Sequence, residues 1–287
     1  TMLKIVAQTP QLLLSIYEEK KWTAKHVKSR SITKIFSDNC LGTYDVNVPS
    51  VLMTHLLRFP VPRTLSPMAQ WMLRRFTRHF SEVWVPDLPP GKISISGPLT
   101  SKTIHPKTKF IGILSRLVNP SKDLTQTSST PYPLVAIISG PEPHRTTMEN
   151  ALRTWMQNRS EKGLIFAGKP GGNFRKDGDI LTLYDPSDVE ISEAIYAAQI
   201  LICRSGYTTL LDLVALKKQA ILIPTPGQME QEVLSAFWTE KFGFASCTQE
   251  DLKNLLIPEM SGGFPQELVS KPPNKTAMNE LAAWLKN

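Results

Sequence analysis

The residues best suited to chemistry lie in the second half of this 287-residue chain. Ser205, Gly206, Tyr207, Thr208 and Thr209 form a small polar turn after an apolar run, residues 198–203, that reads as a buried strand. Leu210, Leu211, Leu213, Val214 and Leu216 then fall at helical spacing. A strand, a tight turn and a helix make a phosphate site. The glycine permits close backbone approach, and the N–H groups of the first helical turn, aided by the hydroxyls of Ser205, Thr208 and Thr209, can hold an anion. Asp212 sits about one turn further in, where a carboxylate could accept hydrogen bonds from two ribose hydroxyls. The plainer reading is a helix N-terminus capped by Ser or Thr.

The elements around this turn must bring it to a sheet edge. Residues 134–139, 164–167, 180–184, 200–203 and 220–223 read as strands, and residues 146–156, 189–197, 209–216 and 230–242 as helices. Such alternation implies a parallel, doubly wound sheet, whose right-handed crossovers put the loops after the strands on one edge. Four of those loops are polar or glycine-rich: residues 140–145, 168–172, 205–208 and 225–228. The last also reads as a tight strand-to-helix connection. Asp185 and Asp188 are read as turn and helix-start residues. No metal and no cofactor are expected.

The first half opens on a helical pattern over residues 1–30 and continues with short strands near residues 35–36, 51–54 and 83–85, each ending in polar residues. Carboxyl ends of parallel strands are where ligands bind, which makes Asp38 and His55 candidates for ligand contact and for general-base work. Residues 56–80 interleave Trp71, Met72, Leu73 and Phe76 with Arg63, Arg74, Arg75 and Arg78. That pattern suits either a membrane surface or a helix packed on its own sheet with a basic outer face. Residues 93–99 and 110–114 read as two further strands, and residues 118–133, rich in Ser, Thr and Pro, as a linker. The expected domains are therefore 1–117, truncated at its start because the chain enters on a helix and begins with Thr, and 134–287, closed by a terminal helix over residues 278–285.

Three cysteines without a CxxC pair, and no apolar run long enough to span a bilayer, point to a reducing, cytoplasmic setting. Charge divides unevenly. Residues 1–110 hold 16 Lys and Arg against 6 Asp and Glu, whereas residues 111–287 hold 17 against 19. The basic half could face an anionic membrane, a phosphorylated lipid or nucleic acid, or be a solubilising surface.

Taken together, the residues resemble a family. SGYTTLLD at residues 205–212 and PTPGQMEQ at 224–231 resemble the nucleotide-sugar-binding domain of GT-B glycosyltransferases, in the group related to the bacterial N-acetylglucosaminyltransferase that makes lipid II. SDN (37–39), PSVLMTH (49–55), VWVPD (83–87), FIGILSR (110–116) and SGPEPHRT (139–146) resemble a bacterial branch of predicted glycosyltransferases. The resemblance implies an α/β chain of two Rossmann-like doubly wound domains, the first incomplete. It also implies an inverting transferase that moves a sugar from a nucleotide-sugar, UDP-linked, to a lipid-linked or glycan acceptor. Ser205, Gly206, Tyr207 and Thr208 would hold the diphosphate and Asp212, where the family has Glu, the ribose. Gln231 and Gln228 would contact the donor sugar, Gly140 and Arg145 would lie near the pyrophosphate, and Tyr184, with Leu183, near the base. The implied setting is the cytoplasm, with peripheral contact to anionic lipid at the inner membrane face and no nucleic-acid partner. The family's usual base lies in a glycine-rich loop absent from this chain. A non-catalytic nucleotide-sugar-binding protein and an epimerase of the same fold are the rival readings.

Overall fold

The structure is a computed structural model that describes residues 2–89, 93–117, 132–159, 161–169, 171–258, 264–268 and 272–286, with backbone only for residues 2–8 and 267. Helix α1 (Met2–Arg30) leads into a four-stranded parallel sheet of β1 (Ile35–Asp38), β2 (Ser50–Met53), β3 (Glu82–Val85) and β4 (Thr108–Phe110), in that spatial order. Val51, Leu52, Val83 and Val85 are fully buried, as continuous apolar runs in a parallel sheet require. Helix α2 (Ser66–Thr77) packs Leu73 against Leu52, Leu57, Val83 and Val85. Its outer side carries Met68 and Trp71, both exposed, beside Arg74 and Arg75. Within residues 56–80 the helix Ser66–Thr77 thus packs on its own sheet and also keeps a basic, partly apolar outer surface.

Residues 93–99 do not form the expected strand. They wind around a buried carboxylate. Asp87 accepts hydrogen bonds from the backbone N–H groups of Leu88 (2.6 Å), Ile95 (2.8 Å) and Ser96 (3.0 Å), and from the hydroxyls of Ser94 (2.7 Å) and Ser96 (2.6 Å). A side chain that satisfies so many local donors offers the backbone an alternative to a ladder. Ile95 and Leu99 are nonetheless buried, so the apolar pattern was real while its strand was not. The strand expected over residues 110–114 likewise stops at Phe110, because Gly112 turns the chain at φ +80.

The second sheet has six strands in the order β10-β9-β5-β6-β8-β7. They are β5 (Leu134–Ile137), β6 (Gly163–Phe166), β7 (Phe174–Asp177), β8 (Ile180–Leu183), β9 (Ile200–Cys203) and β10 (Ile221–Leu222). All pair in parallel except β7, which is antiparallel to β8 across a turn at Gly178, φ +59. Its residues Phe174, Arg175 and Lys176 are exposed, which is why no apolar alternation announces this strand. The intervening helices are α3 (His144–Gln157), α4 (Asp188–Ala197), α5 (Tyr207–Leu216) and α6 (Met229–Phe242). One core face joins Leu134, Ala136, Ile138, Ile165, Ile180 and Ile202 to Met148, Leu152, Trp155 and Met156 of α3. Side chains alternate along a strand, so Cys203, Leu183 and Ile137 point to the opposite face, where α4 and α5 contact each other.

The chain divides into one unit of Thr1–Ile113 with Asn274–Asn287, and a second of Leu114–Pro273. The expected division at 117 and 134 therefore shifts, and the terminal helix, expected in the second domain, belongs to the first unit. Of the expected linker, residues 118–131 lie outside the described residues. Helix α7 (Lys275–Lys286) is held by Lys34, whose ammonium donates to the carbonyls of Trp284 (2.5 Å) and Leu285 (2.9 Å). A cation on the last carbonyls of a helix both satisfies them and complements its dipole. Trp284 meets Trp84 of β3 edge-on, with centroids 6.1 Å apart, and Lys109 bridges Glu280 and Glu82.

Asp87→Ala removes the acceptor from buried donors and is expected to destabilise the protein by about 3 kcal/mol or more. Urea unfolding followed by tryptophan fluorescence, which reports on nearby Trp84, measures this.

Candidate functional site

The parallel strands of the second unit deliver their carboxyl ends to one edge. At β9 that edge carries Gly206, the N-cap of α5, with φ −70 and ψ 143. The first helical N–H to find an acceptor within the helix is that of Leu210, 3.0 Å from the Gly206 carbonyl. Thr208 is exposed and Thr209 half-buried, and their N–H groups point out of the helix end. A Cβ added at Gly206 would meet nothing closer than Gln231 Nε2 and Thr209 Oγ1, each at 3.9 Å. Neither backbone strain nor a neighbour among the described residues demands glycine here, so the glycine keeps open a space beside the helix end. Gly140 differs. Its φ of +107 requires glycine, and its absent side chain faces Thr225 Oγ1 at 3.6 Å.

Ser205 departs from its expected role as an anion-binding hydroxyl. It is fully buried and donates to the Gln231 carbonyl at 2.8 Å. Gln231 and Gln228 are likewise committed: Thr225 N–H donates to Gln231 Oε1 at 2.9 Å, and Gln231 Nε2 donates to Gln228 Oε1 at 2.7 Å. These bonds tie the turn after β9 to the turn after β10, so the three residues shape the crevice. One amide hydrogen of Gln231 remains for a ligand. Tyr207 is buried, and its backbone rather than its ring belongs to the helix end.

Asp212 stands half-buried on α5 and accepts a hydrogen bond from Ser115 at 2.6 Å. The adjacent Arg116 pairs with Asp188, at the start of α4, at 2.7 Å. Burial pushes the Asp212 carboxyl above its ordinary value, with Ser115 and Arg116 opposing the shift and Asp188 adding to it. Sequence reasoning missed Ser115, because nothing local marks a serine before a linker as the partner of a carboxylate far along the chain.

Arg145 and Tyr184 are turned away from this space. Arg145 is buried, donating to the Ala167 carbonyl at 3.1 Å and pairing with Glu142. Tyr184 continues the register of Ile180 on the α3 face, and its hydroxyl lies 3.4 Å from Glu149 of α3. Both border a cavity of about 460 Å3 with Lys169, Asn173, Phe174 and Arg175. Asp212 lies across the sheet from that cavity. The Arg145 and Tyr184 side chains thus line the α3 face and do not meet Asp212; Leu183, one residue earlier, faces the Asp212 side.

Arg204 was also overlooked. Fully buried, it donates to the carbonyls of Ile223 and Pro224 (3.2 Å each) and His144 (3.1 Å), and to Gln249 Oε1 at 2.5 Å. A basic residue at a strand end reads from sequence as solvated; only the fold reveals the carbonyls that surround it.

In the first unit, Asp38 ends β1, paired in register with Met53, and His55 comes two residues after the adjacent parallel strand β2. Asp38 is exposed and His55 half-buried. Between them, Thr54 donates to Asn39 Oδ1 at 2.8 Å, and Asn39 adopts the left-handed φ of +56. Among the described residues no three His, Cys, Asp or Glu side chains gather to hold a metal ion.

Two outcomes follow from this geometry. Gly206→Ala should leave stability within about 1 kcal/mol of wild type, since lost capping preference and reduced unfolded-state entropy oppose each other. Asp212, whose folded pKa is raised, contributes stability that is full below the carboxyl's ordinary 3.8 and is lost as pH rises through the folded value. Asp212→Asn should thus match or exceed wild type in urea midpoint at pH 7, and that advantage should shrink as pH falls.

Residues 176–254 match the family model described as Glycosyltransferase family 28 C-terminal domain. No curated protein matches the chain. Among solved structures, Acinetobacter baumannii MurG is similar over 96% of this chain and 78% of its own, at 13% identity and a TM-score of 0.54. The calicheamicin glycosyltransferase CalG4 covers 98% of this chain and 83% of its own, at 12% identity and a TM-score of 0.62. The spinosyn rhamnosyltransferase SpnG, complexed with thymidine diphosphate, covers 97% and 79%, at 13% identity and a TM-score of 0.59. The chain has the GT-B fold of these glycosyltransferases, and residues 176–254, within its second unit, match the glycosyltransferase family 28 C-terminal domain.

Proposed function

We propose that the chain is an inverting glycosyltransferase that moves a sugar from a UDP-linked donor to a lipid-linked or glycan acceptor. The observation that carries this reading is the open space at Gly206, where the end of α5 presents the N–H groups of Thr208 and Thr209 and no described residue comes closer than 3.9 Å to an added Cβ. An acceptor hydroxyl attacks the anomeric carbon from one side while the nucleoside diphosphate leaves from the other. The helix end takes up the charge that develops on the departing phosphates. Asp212 receives the ribose hydroxyls, either on its second oxygen or by displacing the Ser115 hydroxyl. The base lies against the backbone after β8, on the Leu183 side. The free amide hydrogen of Gln231 reaches the donor sugar. His55 or Asp38 serves as the base that takes the acceptor proton.

The acceptor side is argued from charge and surface. The exposed Met68 and Trp71 of α2 beside Arg74 and Arg75 suit a peripheral encounter with an anionic lipid surface. No helix among the described residues is long and apolar enough to cross a membrane. A cytoplasmic protein at the inner membrane face would meet a lipid-linked acceptor there.

Calorimetry with UDP tests the donor site. Wild type should bind, and Asp212→Ala and Gly206→Ala should each weaken binding by about tenfold or more, the loss expected when a charged hydrogen bond or a close phosphate approach is removed. Absence of UDP binding by wild type, or variants that bind UDP as tightly as wild type, would sink the assignment. Incubation with UDP-N-acetylglucosamine and lipid extract separates the rivals: a glycosylated lipid supports transfer, an epimerised donor supports the epimerase, and an unchanged bound donor supports the binding protein.

A further inference from the structure

Arg204 immediately precedes the turn at Ser205 and is 0% exposed. Each of its partners is neutral: the carbonyls of Ile223, Pro224 and His144, and the amide oxygen of Gln249. Its Nε has no hydrogen-bond partner among the described residues. A buried guanidinium ordinarily sits against a carboxylate, because an uncompensated charge in a low dielectric is expensive. Burial does lower its pKa, to about 10, which leaves it protonated at neutral pH. The chain therefore holds a positive charge, solvated among the described residues by protein dipoles, beneath the loops that converge on Gly206. His144 opens α3 and Pro224 precedes the turn into α6, so the same guanidinium ties the start of one helix to the approach of another.

We propose that Arg204 is a positioning residue for the diphosphate, whose uncompensated charge strengthens phosphate binding at the α5 end while its hydrogen bonds fix the turns around it. This rests on the nucleotide-sugar reading given above. The alternative is a purely structural clamp, for which a carboxylate at position 249 would serve as well or better. The amide there satisfies the guanidinium without cancelling its charge. A long-range field of this kind acts on phosphates and leaves an uncharged nucleoside untouched.

Gln249→Glu separates the two roles. The carboxylate is isosteric, keeps the hydrogen bond to Arg204 and neutralises the buried charge. Thermal unfolding should show the variant at least as stable as wild type. Calorimetry should show UDP binding about tenfold weaker, the effect of one unit charge across roughly 10 Å at an effective dielectric of about 20. Uridine affinity, from ligand-observed NMR, should not change. Unchanged UDP affinity in the folded variant, or a parallel loss of uridine, overturns the proposal. A wild type that binds no UDP overturns the nucleotide-sugar reading instead, and this inference with it. Should Gln249→Glu fail to fold, Arg204→Lys and Arg204→Gln carry the comparison. Lysine retaining UDP affinity within threefold while glutamine loses about tenfold supports the charge role; equal losses contradict it.

Discussion

Parallel pairing of β5 with β9, in register from Leu134 opposite Ile200 to Ile137 opposite Cys203, is the interaction on which the second unit depends. It places the Gly140 turn beside the Gly206 turn and forces every connection to cross over and return to the same edge. Burial on both faces leaves no freedom in register, since a slip of one residue would exchange the α3 face with the α4 and α5 face. The same alternation sorts the side chains. Cys203 and Leu183 share the Asp212 side, whereas Ile202 and Tyr184 share the α3 side, so a single residue step moves a group from one face of the sheet to the other.

Polar locking then stiffens what pairing has assembled. Ser205 on the Gln231 carbonyl, Gln231 on Thr225 and Gln228, and Arg204 on three carbonyls spend side-chain hydrogen bonds on loop backbone. A preorganised edge needs no reorganisation when charge develops on it. Two groups near that edge sit at an energetic disadvantage: Asp212, whose carboxyl is raised by burial, and Arg204, which lacks a carboxylate partner. Stability forgone at a site in this way is a recurring mark of function.

Much of this was legible in the residues. The apolar runs gave β9 its bounds, and the glycine-rich turns gave the edge. The helix over residues 207–216 differs from the periodic pattern by two residues at its start, because capping geometry rather than apolar spacing sets where a helix begins. What stayed hidden depends on distant partners. Asp87 replaced a strand by gathering donors from a loop; β7 carries no apolar alternation because it is an exposed edge; α7 joined the first unit through Lys34 and Trp84, far away in sequence. The roles of Ser205, Gln231 and Arg145 shifted for the same reason. A motif names residue types at a turn, but which of their polar atoms remain available is decided by neighbours that the motif does not contain.

On the proposed function, the end of α5 binds the diphosphate of a nucleotide-sugar. Backbone amide NMR of the protein during titration with UDP reads that end directly. Saturable downfield shifts of the Thr208 and Thr209 amide protons, alongside changes at Gly206, are the predicted result. Shifts confined to Lys169, Asn173 and Arg175 around the cavity on the α3 face, with Thr208 and Thr209 unmoved, would contradict it.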